Sequence, residues 1–236
     1  MRAGPDNPVR RAVVVPLRDD RRLRYQDWVA GRRQAVRELG RGRVGYLHVP
    51  DMQAPGWAQF HRDLRAEMSH DAVIIDVRGN NGGHTSELIV EQLARRIVAW
   101  NTGRYRRPVS YPTIAPRGPV VTVADEFAGS DGDIVTAAIR GLGLGPGGGT
   151  RTGGGGIGID GTRRLADGTG ITVPGYAFWF SKFGWDVENH GVAPDVEVFY
   201  RPDDYAARRD PQLETAVSLA VDALDRQPPA NPPSLG

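Results

Sequence analysis

The 236-residue sequence contains no cysteine, which excludes disulfides, thiolate metal sites and cysteine nucleophiles. It has no apolar run close to the roughly 18 residues that a membrane-spanning helix needs. Its first residues, MRAGPDNPVRR, lack the apolar segment of an export signal. We therefore expect a cytoplasmic protein without membrane association, built as one main domain or two.

Lysine and an excess of positive charge are also nearly absent. The net charge is +2 and Lys182 is the single lysine. The arginine clusters are interleaved with acids, so no basic stripe forms and we expect no nucleic-acid partner. The five histidines show no metal-ligand spacing, and we expect neither a metal nor another cofactor; they are His48, His61, His70, His84 and His190.

What is present is the alternation of an α/β fold. The continuous apolar run at 72–77 suits a strand covered on both faces. It leads into the glycine turn RGNNGGH and a predicted helix at 87–99, which Thr85 or Ser86 could cap. The same order repeats with a strand at 119–124 and a helix that begins at 131 or 132. Two successive units of this kind predict a mostly parallel sheet with flanking helices, and ligand sites in the loops after the strands.

Other segments give further predictions. Helical spacing indicates helices at 23–41, 56–69 and 210–224, and strands are expected at 44–49 and 196–200. The β-branched run at 11–16 precedes the first helix. Residues 141–161 are so rich in glycine that we expect neither helix nor ordinary strand over their middle. We expect a flexible surface loop and not a phosphate cradle, because no GxxxxGK(S/T) pattern is present and the glycines follow a helix instead of opening one. Strands at 171–174 and 176–180 are expected to form a hairpin around Gly175.

The stretch DEFAGSDGD at 125–133 places Ser130 between a strand and a helix. Unpaired N–H groups in the first turn of a helix can stabilise an oxyanion, which is the geometry a nucleophilic serine requires. The pattern is not GxSxG, because Ala128 lies two residues before the serine. A second interpretation makes Ser130 an N-cap with Asp133 as the acid of a capping box, and the local sequence leaves both open.

Three blocks in this order carry a family resemblance: IIDVRGNNGGH at 74–84, EFAGSDGD at 126–133 and DVENHGVAPDVEV at 186–198. With them, residues 11–224 resemble the C-terminal catalytic region of tricorn proteases, within the clan of C-terminal processing (tail-specific) serine peptidases. The resemblance implies a ClpP/crotonase-like catalytic subdomain at 41–225. Residues 1–40 would form a linker and helix leaving a PDZ-like domain, and 226–236 a tail of disordered composition.

The resemblance also implies roles for particular residues. Ser130 corresponds to the nucleophile, and the backbone N–H of Asp131 to one half of the oxyanion hole. The other half would come from Gly83, with Gly82 as the alternative. Glu188 matches the acidic member of a catalytic tetrad, although a solvated loop acid is equally compatible with its neighbours.

The general base of this family lies upstream of the matching region, and none of the five histidines stands in its position. His84 and His190 are candidates to replace it, because they lie near the oxyanion loop and Glu188 in sequence. The resemblance implies a serine peptidase that trims oligopeptides in a hexamer, incomplete as this chain alone. The alternative is a non-catalytic binding or assembly module of the same fold.

Overall fold

The computed structural model of the chain, which describes residues 12–234, contains a five-stranded parallel sheet with helices on both faces. The strand order is β1-β2-β5-β6-β9, and each neighbouring pair is parallel. The predicted fold class is confirmed. Two antiparallel hairpins, β3–β4 and β7–β8, lie outside this sheet.

The helices are α1 (Arg21–Leu39), α2 (Ala54–Glu67), α3 (Ser86–Leu93), α4 (Asp131–Gly141), α5 (Pro202–Ala207) and α6 (Pro211–Arg226). The strands are β1 (Val44–His48), β2 (Ala72–Asp76), β3 (Ala99–Gly103), β4 (Arg106–Tyr111), β5 (Val120–Ala124), β6 (Gly147–Gly149), β7 (Gly158–Arg164), β8 (Gly170–Tyr176) and β9 (Val196–Glu197). None of the helices in residues 12–234 is long and apolar enough to cross a lipid bilayer.

The core consists of two apolar layers, one on each face of the sheet. Alternate residues of β2 point to opposite faces, so that Ala72 and Ile74 pack against α1 and α6, while Val73 and Ile75 pack against α2, α3 and α4. Every residue of β1, β2 and β5 is buried. This explains why these strands are apolar without a polar alternation.

The helix predicted at 87–99 is shorter in the structure. It ends at Leu93, and Ala99 already belongs to β3, which pairs with β4 across a turn. Both strands are largely exposed, so they carry no apolar pattern that could have revealed them. The predicted hairpin around Gly175 is also wrong, because Gly175 lies within β8 and the partner strand is β7.

The expectation that the glycine-rich segment contains no ordinary strand is wrong as well. Gly147–Gly149 forms β6 between β5 and β9. A methyl group built on Gly149 would lie 2.0 Å from the carbonyl oxygen of Ala124, and its φ is +113°. Glycine is needed there because the backbones approach too closely for a side chain.

The ends of the described range contain no regular structure. Residues 12–17 form neither helix nor strand, and Arg11 of the predicted β-branched run lies outside the described residues. Near the other end, the N–H of Ala230 donates to the carbonyl of Arg117 at 2.7 Å. The predicted domain boundaries stay predictions.

A buried ionic cluster links the end of β2 to α6. Arg78 contacts Asp76 at 2.6 Å and Asp210 at 2.9 Å, and all three side chains are at least nine-tenths buried. Asp210 is also the N-cap of α6, since its carboxylate accepts from the N–H of Leu213. Burial alone would raise the pKa of Asp210, but the charge and hydrogen bonds of Arg78 lower it below the ordinary 3.8.

Because of this cluster, the free energy of unfolding depends on pH in the acidic range. Because the folded pKa of Asp210 is lowered, its contribution is present above about pH 4 and is lost as the pH falls through the folded value. We expect Asp210→Asn, which keeps an N-cap, to lose about 2 kcal/mol at pH 7. As the pH falls below about 4, the free energy of unfolding measured by urea titration should decrease less for this variant than for the wild type.

Asp222→Asn is the matched control, because Asp222 is an exposed acid on the same helix. It should leave both the stability at pH 7 and the acid dependence unchanged. Equal acid profiles for Asp210→Asn and the wild type would contradict a role for the cluster.

Candidate active site

Two loops meet at the carboxyl edge of the sheet, where ligand sites of parallel sheets occur. One follows β2 and contains Gly82 and Gly83, and the other follows β5 and contains Ser130. They adjoin because β2 and β5 are neighbours in the sheet. Asp125 bridges them, since its carboxylate accepts from the N–H of Gly79 at 2.9 Å. Burial raises the pKa of this carboxyl.

Ser130 occupies the N-cap position of α4 but does not act as a side-chain cap. Its side chain makes no capping hydrogen bond, and Ser130 is exposed. Its φ of 56° with ψ of −119° lies outside the regions that residues with a side chain ordinarily adopt. Such strained turns cluster at functional sites. The capping-box interpretation fails for Asp133 too, because its carboxylate accepts from the N–H groups of Gly154 and Gly155.

The glycine turn lies directly against the serine. A methyl group built on Gly82 would lie 2.9 Å from Ser130 Oγ and 3.1 Å from the amide nitrogen of Asp131. A glycine is required at this position for the two loops to approach so closely. Asn80 fixes the turn, because its side chain accepts from Gly82 N–H at 2.8 Å and donates to the carbonyl of Val49 at 2.8 Å.

Two backbone N–H groups beside Ser130 remain available. The N–H of Gly82 is used by Asn80. Those of Gly83 and Asp131 donate to no acceptor within residues 12–234. Of the two glycines, Gly83 is therefore the one whose N–H can donate a hydrogen bond to a ligand, and it lines the same cavity as Ser130 and Asp131.

That cavity has a volume of about 670 Å³. Ser130 and Gly83 lie on its wall, and its other walls are largely apolar. The apolar wall residues are Val90, Ile134, Ala138, Ile157, Ile159, Tyr176 and Phe178.

Glu188 lies in an adjoining cavity of about 290 Å³. The two cavities share Gly156, Ile157 and Phe178. The Glu188 carboxylate accepts from the N–H of Ile157 at 2.7 Å. It is thus held near the Ser130 cavity by the glycine-rich segment, without a hydrogen bond to the serine.

No histidine in the described part of the chain hydrogen-bonds to Ser130. His84 is exposed and lines the larger cavity. His190 Nδ1 lies 3.0 Å from the carbonyl oxygen of Glu188. Both candidates are therefore near the site, and neither contacts the hydroxyl.

Two residues that organise the site were not singled out from the sequence. Asn80 is fully buried in a glycine turn, and an asparagine two residues before a glycine is a signal for a side-chain-stabilised turn. Asp125 forms a similar turn, because its carboxylate accepts from the N–H of Phe127 at 3.1 Å, but nothing local indicates its second partner, Gly79, which is 46 residues away.

Comparisons with known proteins agree on one family. The profile of Peptidase family S41 matches residues 43–198. "Tricorn protease homolog 1" of Streptomyces coelicolor is 64% identical over 227 residues, covering 96% of this chain and 21% of that protein. "Tricorn protease" of Thermoplasma acidophilum is 42% identical over 222 residues, covering 94% and 21%. A crystal structure of the tricorn protease matches 89% of this chain and 20% of its own, with 44% identity and a TM-score of 0.84. The chain therefore spans about a fifth of the length of these relatives.

Proposed function

The chain belongs to Peptidase family S41, and we propose that it supplies the nucleophile half of a serine peptidase that hydrolyses oligopeptides. One observation carries the proposal. Ser130 lies at a strained strand-to-helix turn, and neither its hydroxyl nor two N–H groups beside it have a hydrogen-bond partner within residues 12–234. This arrangement suits attack on a carbonyl and stabilisation of the resulting oxyanion.

The reaction proceeds through an acyl-enzyme. Ser130 Oγ forms a bond to the substrate carbonyl carbon and loses its proton to a general base. The N–H groups of Gly83 and Asp131 donate to the oxyanion. The amide C–N bond then breaks as the amine leaves with a proton from the base, and water hydrolyses the ester. Losing one of the two donors costs on the order of 3 kcal/mol of activation free energy.

The general base belongs to a part of the protein outside this chain in our proposal. A serine hydroxyl is a weak nucleophile without a base, and no histidine within residues 12–234 hydrogen-bonds to Ser130. Glu188 is the acid that would orient this base, because its carboxylate is held by Ile157 N–H beside the shared cavity wall. The base would enter between Ser130 and Glu188.

The substrate, assembly and location follow from the same resemblance as proposals. An extended peptide fits an open cavity of about 670 Å³, and its apolar walls favour a bulky apolar side chain next to the cleaved bond. Exposed aromatic side chains, among them Phe127, Phe199 and Trp185, are compatible with burial in a homo-oligomer, which we propose to be a hexamer in the cytoplasm.

The test compares this chain alone with a chimera. In the chimera, the chain replaces the matching 227 residues of the Streptomyces coelicolor relative, so that any upstream base is restored. We expect Ser130-dependent hydrolysis of fluorogenic peptides by the chimera, and rates near background for the chain alone. A fluorophosphonate probe should label Ser130 in the chimera.

Two outcomes would contradict the proposal in different ways. Turnover by the isolated chain that Ser130→Ala removes would show that the base is internal, with His84 the first candidate. A folded chimera with neither turnover nor labelling would favour the non-catalytic binding or assembly module.

A further inference from the structure

The side chain of Asp131 joins the two loops that carry the proposed oxyanion donors. Its carboxylate accepts from Ser86 N–H at 3.0 Å through Oδ2 and from the Ser86 hydroxyl through Oδ1. Asp131 is 4% exposed and Ser86 is 7% exposed. The contact is therefore made inside the protein, and both residues line the cavity of Ser130.

The position of this contact in the fold gives it a consequence for geometry. Ser86 is the first residue of α3, three residues after Gly83, and Asp131 is the first residue of α4. The N–H of Ser86 has no partner within its own helix, and the carboxylate supplies one. The two helix starts are thus held together immediately beside the two donors.

Other anchors hold the first half of the glycine turn: the carbonyl of Asn80 accepts from the N–H of Gly129 in the serine loop at 3.0 Å. The second half, at 83–86, is held from its other side. The carbonyl of Met52 accepts from the N–H groups of His84 and Thr85 at 2.6 and 3.1 Å. These bonds fix the turn to the segment after β1, but not to α4. Among the hydrogen bonds from residues 83–86 in the described chain, those to Asp131 alone reach the serine-bearing helix.

We propose that Asp131 is a positioning residue for the oxyanion hole. Its carboxylate holds Ser86 in place, and Ser86 in turn keeps the N–H of Gly83 at a fixed distance from the N–H of Asp131. The proposal rests on the proposed function. A donor misplaced by about 1 Å costs on the order of 10²-fold in rate. The two hydrogen bonds also disperse the negative charge of a carboxylate that lies one residue from the nucleophile.

The experiment uses the chimera described under the proposed function. Asp131→Ala, Asp131→Asn and Ser86→Ala are compared with Ser218→Ala, a matched serine change on the distant helix α6, where Ser218 is exposed. The measurements are kcat and KM per fluorophosphonate-labelled serine. A second readout is the affinity for a peptide trifluoromethyl ketone, whose serine adduct carries an oxyanion.

We expect kcat of Asp131→Ala to fall about 10²-fold with KM within about threefold, because the loss concerns the transition state. The affinity for the ketone should fall in parallel, whereas the affinity for a product peptide should not. Asp131→Asn should recover part of the rate, since its remaining oxygen can still accept from Ser86 N–H. Ser86→Ala should lose about fivefold, because it keeps the bond to the backbone N–H, and Ser218→Ala should match the wild type.

The outcomes separate this proposal from the one on which it rests. Wild-type turnover by Ser130→Ala would overturn both. An inactive Ser130→Ala together with unchanged kcat and ketone affinity per labelled site in the Asp131 and Ser86 variants would overturn the positioning role alone. If Asp131→Ala does not fold, Asp131→Asn and Ser86→Ala still decide the question. A lower labelled fraction with normal kcat per labelled serine would show a merely structural contact.

Discussion

Replacing Ser130 by alanine is expected to lower peptide turnover in the chimera at least about 10⁴-fold, because no acyl-enzyme can form. The fold should be unaffected, since Ser130 Oγ makes no hydrogen bond within residues 12–234. Binding of product peptides should also be retained, because the cavity walls do not change. The measurement is kcat/KM on a fluorogenic peptide, together with peptide affinity.

A glycine at the same position tests the backbone strain separately. Ser130→Gly is equally unable to react, but glycine adopts a φ of 56° with ψ of −119° without the clash that a Cβ causes. We expect Ser130→Gly to be more stable than Ser130→Ala by about 1 kcal/mol. The two variants differ only in the Cβ methyl, so their urea midpoints compare directly.

Two results would contradict this account of Ser130. If the Ser130→Ala chimera turned over peptide faster than the isolated 236-residue chain, the nucleophile would lie elsewhere. A Ser130→Gly variant less stable than Ser130→Ala would show that the turn stores no strain.

Gly83→Ala is expected to lower kcat about 10²-fold or more, because it displaces one of the two proposed oxyanion donors. A methyl group on Gly83 would lie 1.9 Å from the carbonyl oxygen of Met52, and the φ of Gly83 is +151°. The backbone must therefore shift, and the shift should also destabilise the protein by about 1–3 kcal/mol. The two effects are separated by measuring kcat per labelled serine and the urea midpoint.

Gly141→Ala provides the matched control, because a methyl group there would meet nothing within 4 Å. It should leave the rate unchanged and raise the free energy of unfolding by at most about 1 kcal/mol, because Gly141 is the last residue of α4 and alanine is the better helix former. A Gly83→Ala variant that folds and retains wild-type kcat would show that the second oxyanion donor lies elsewhere than Gly83.

The sequence predicted the sheet and the loops at its carboxyl edge because both depend on local patterns. The buried run at 72–77 and the strand at 119–124 are followed by glycine and serine turns, and the structure places both strands side by side. The family resemblance then singled out Ser130, Gly83 and Glu188. Their separation along the chain hides their proximity, which only the strand order reveals.

The failures have physical causes of their own. The three glycines of β6 carry no side chains, so no pattern marks them as a strand. The close approach of Ala124 that requires a glycine at 149 depends on tertiary structure and cannot be read from the local sequence. The exposed hairpin β3–β4 lacks the buried face that would give it an apolar alternation. The hydrogen bonds between Asp131 and Ser86 join residues 45 positions apart. From the sequence alone, a carboxylate next to a serine at a helix start indicates a capping role and gives no sign of this long-range contact.

Because β6 consists of glycines alone, it affects where unfolding of the sheet begins. The outermost strand β9 pairs with β6 over two residues, and β6 contributes no side chains to bury against its neighbours. Between β6 and β9 the pairing rests on peptide hydrogen bonds, which contribute little net stability once water competes for them, and on the Asp195 carboxylate, which accepts from the N–H of Gly147 at 2.8 Å. Fraying should therefore begin at β9, whereas the loop that carries Glu188 remains attached to α4, the helix that Ser130 precedes, because Val187 and Val192 are buried against Ala137.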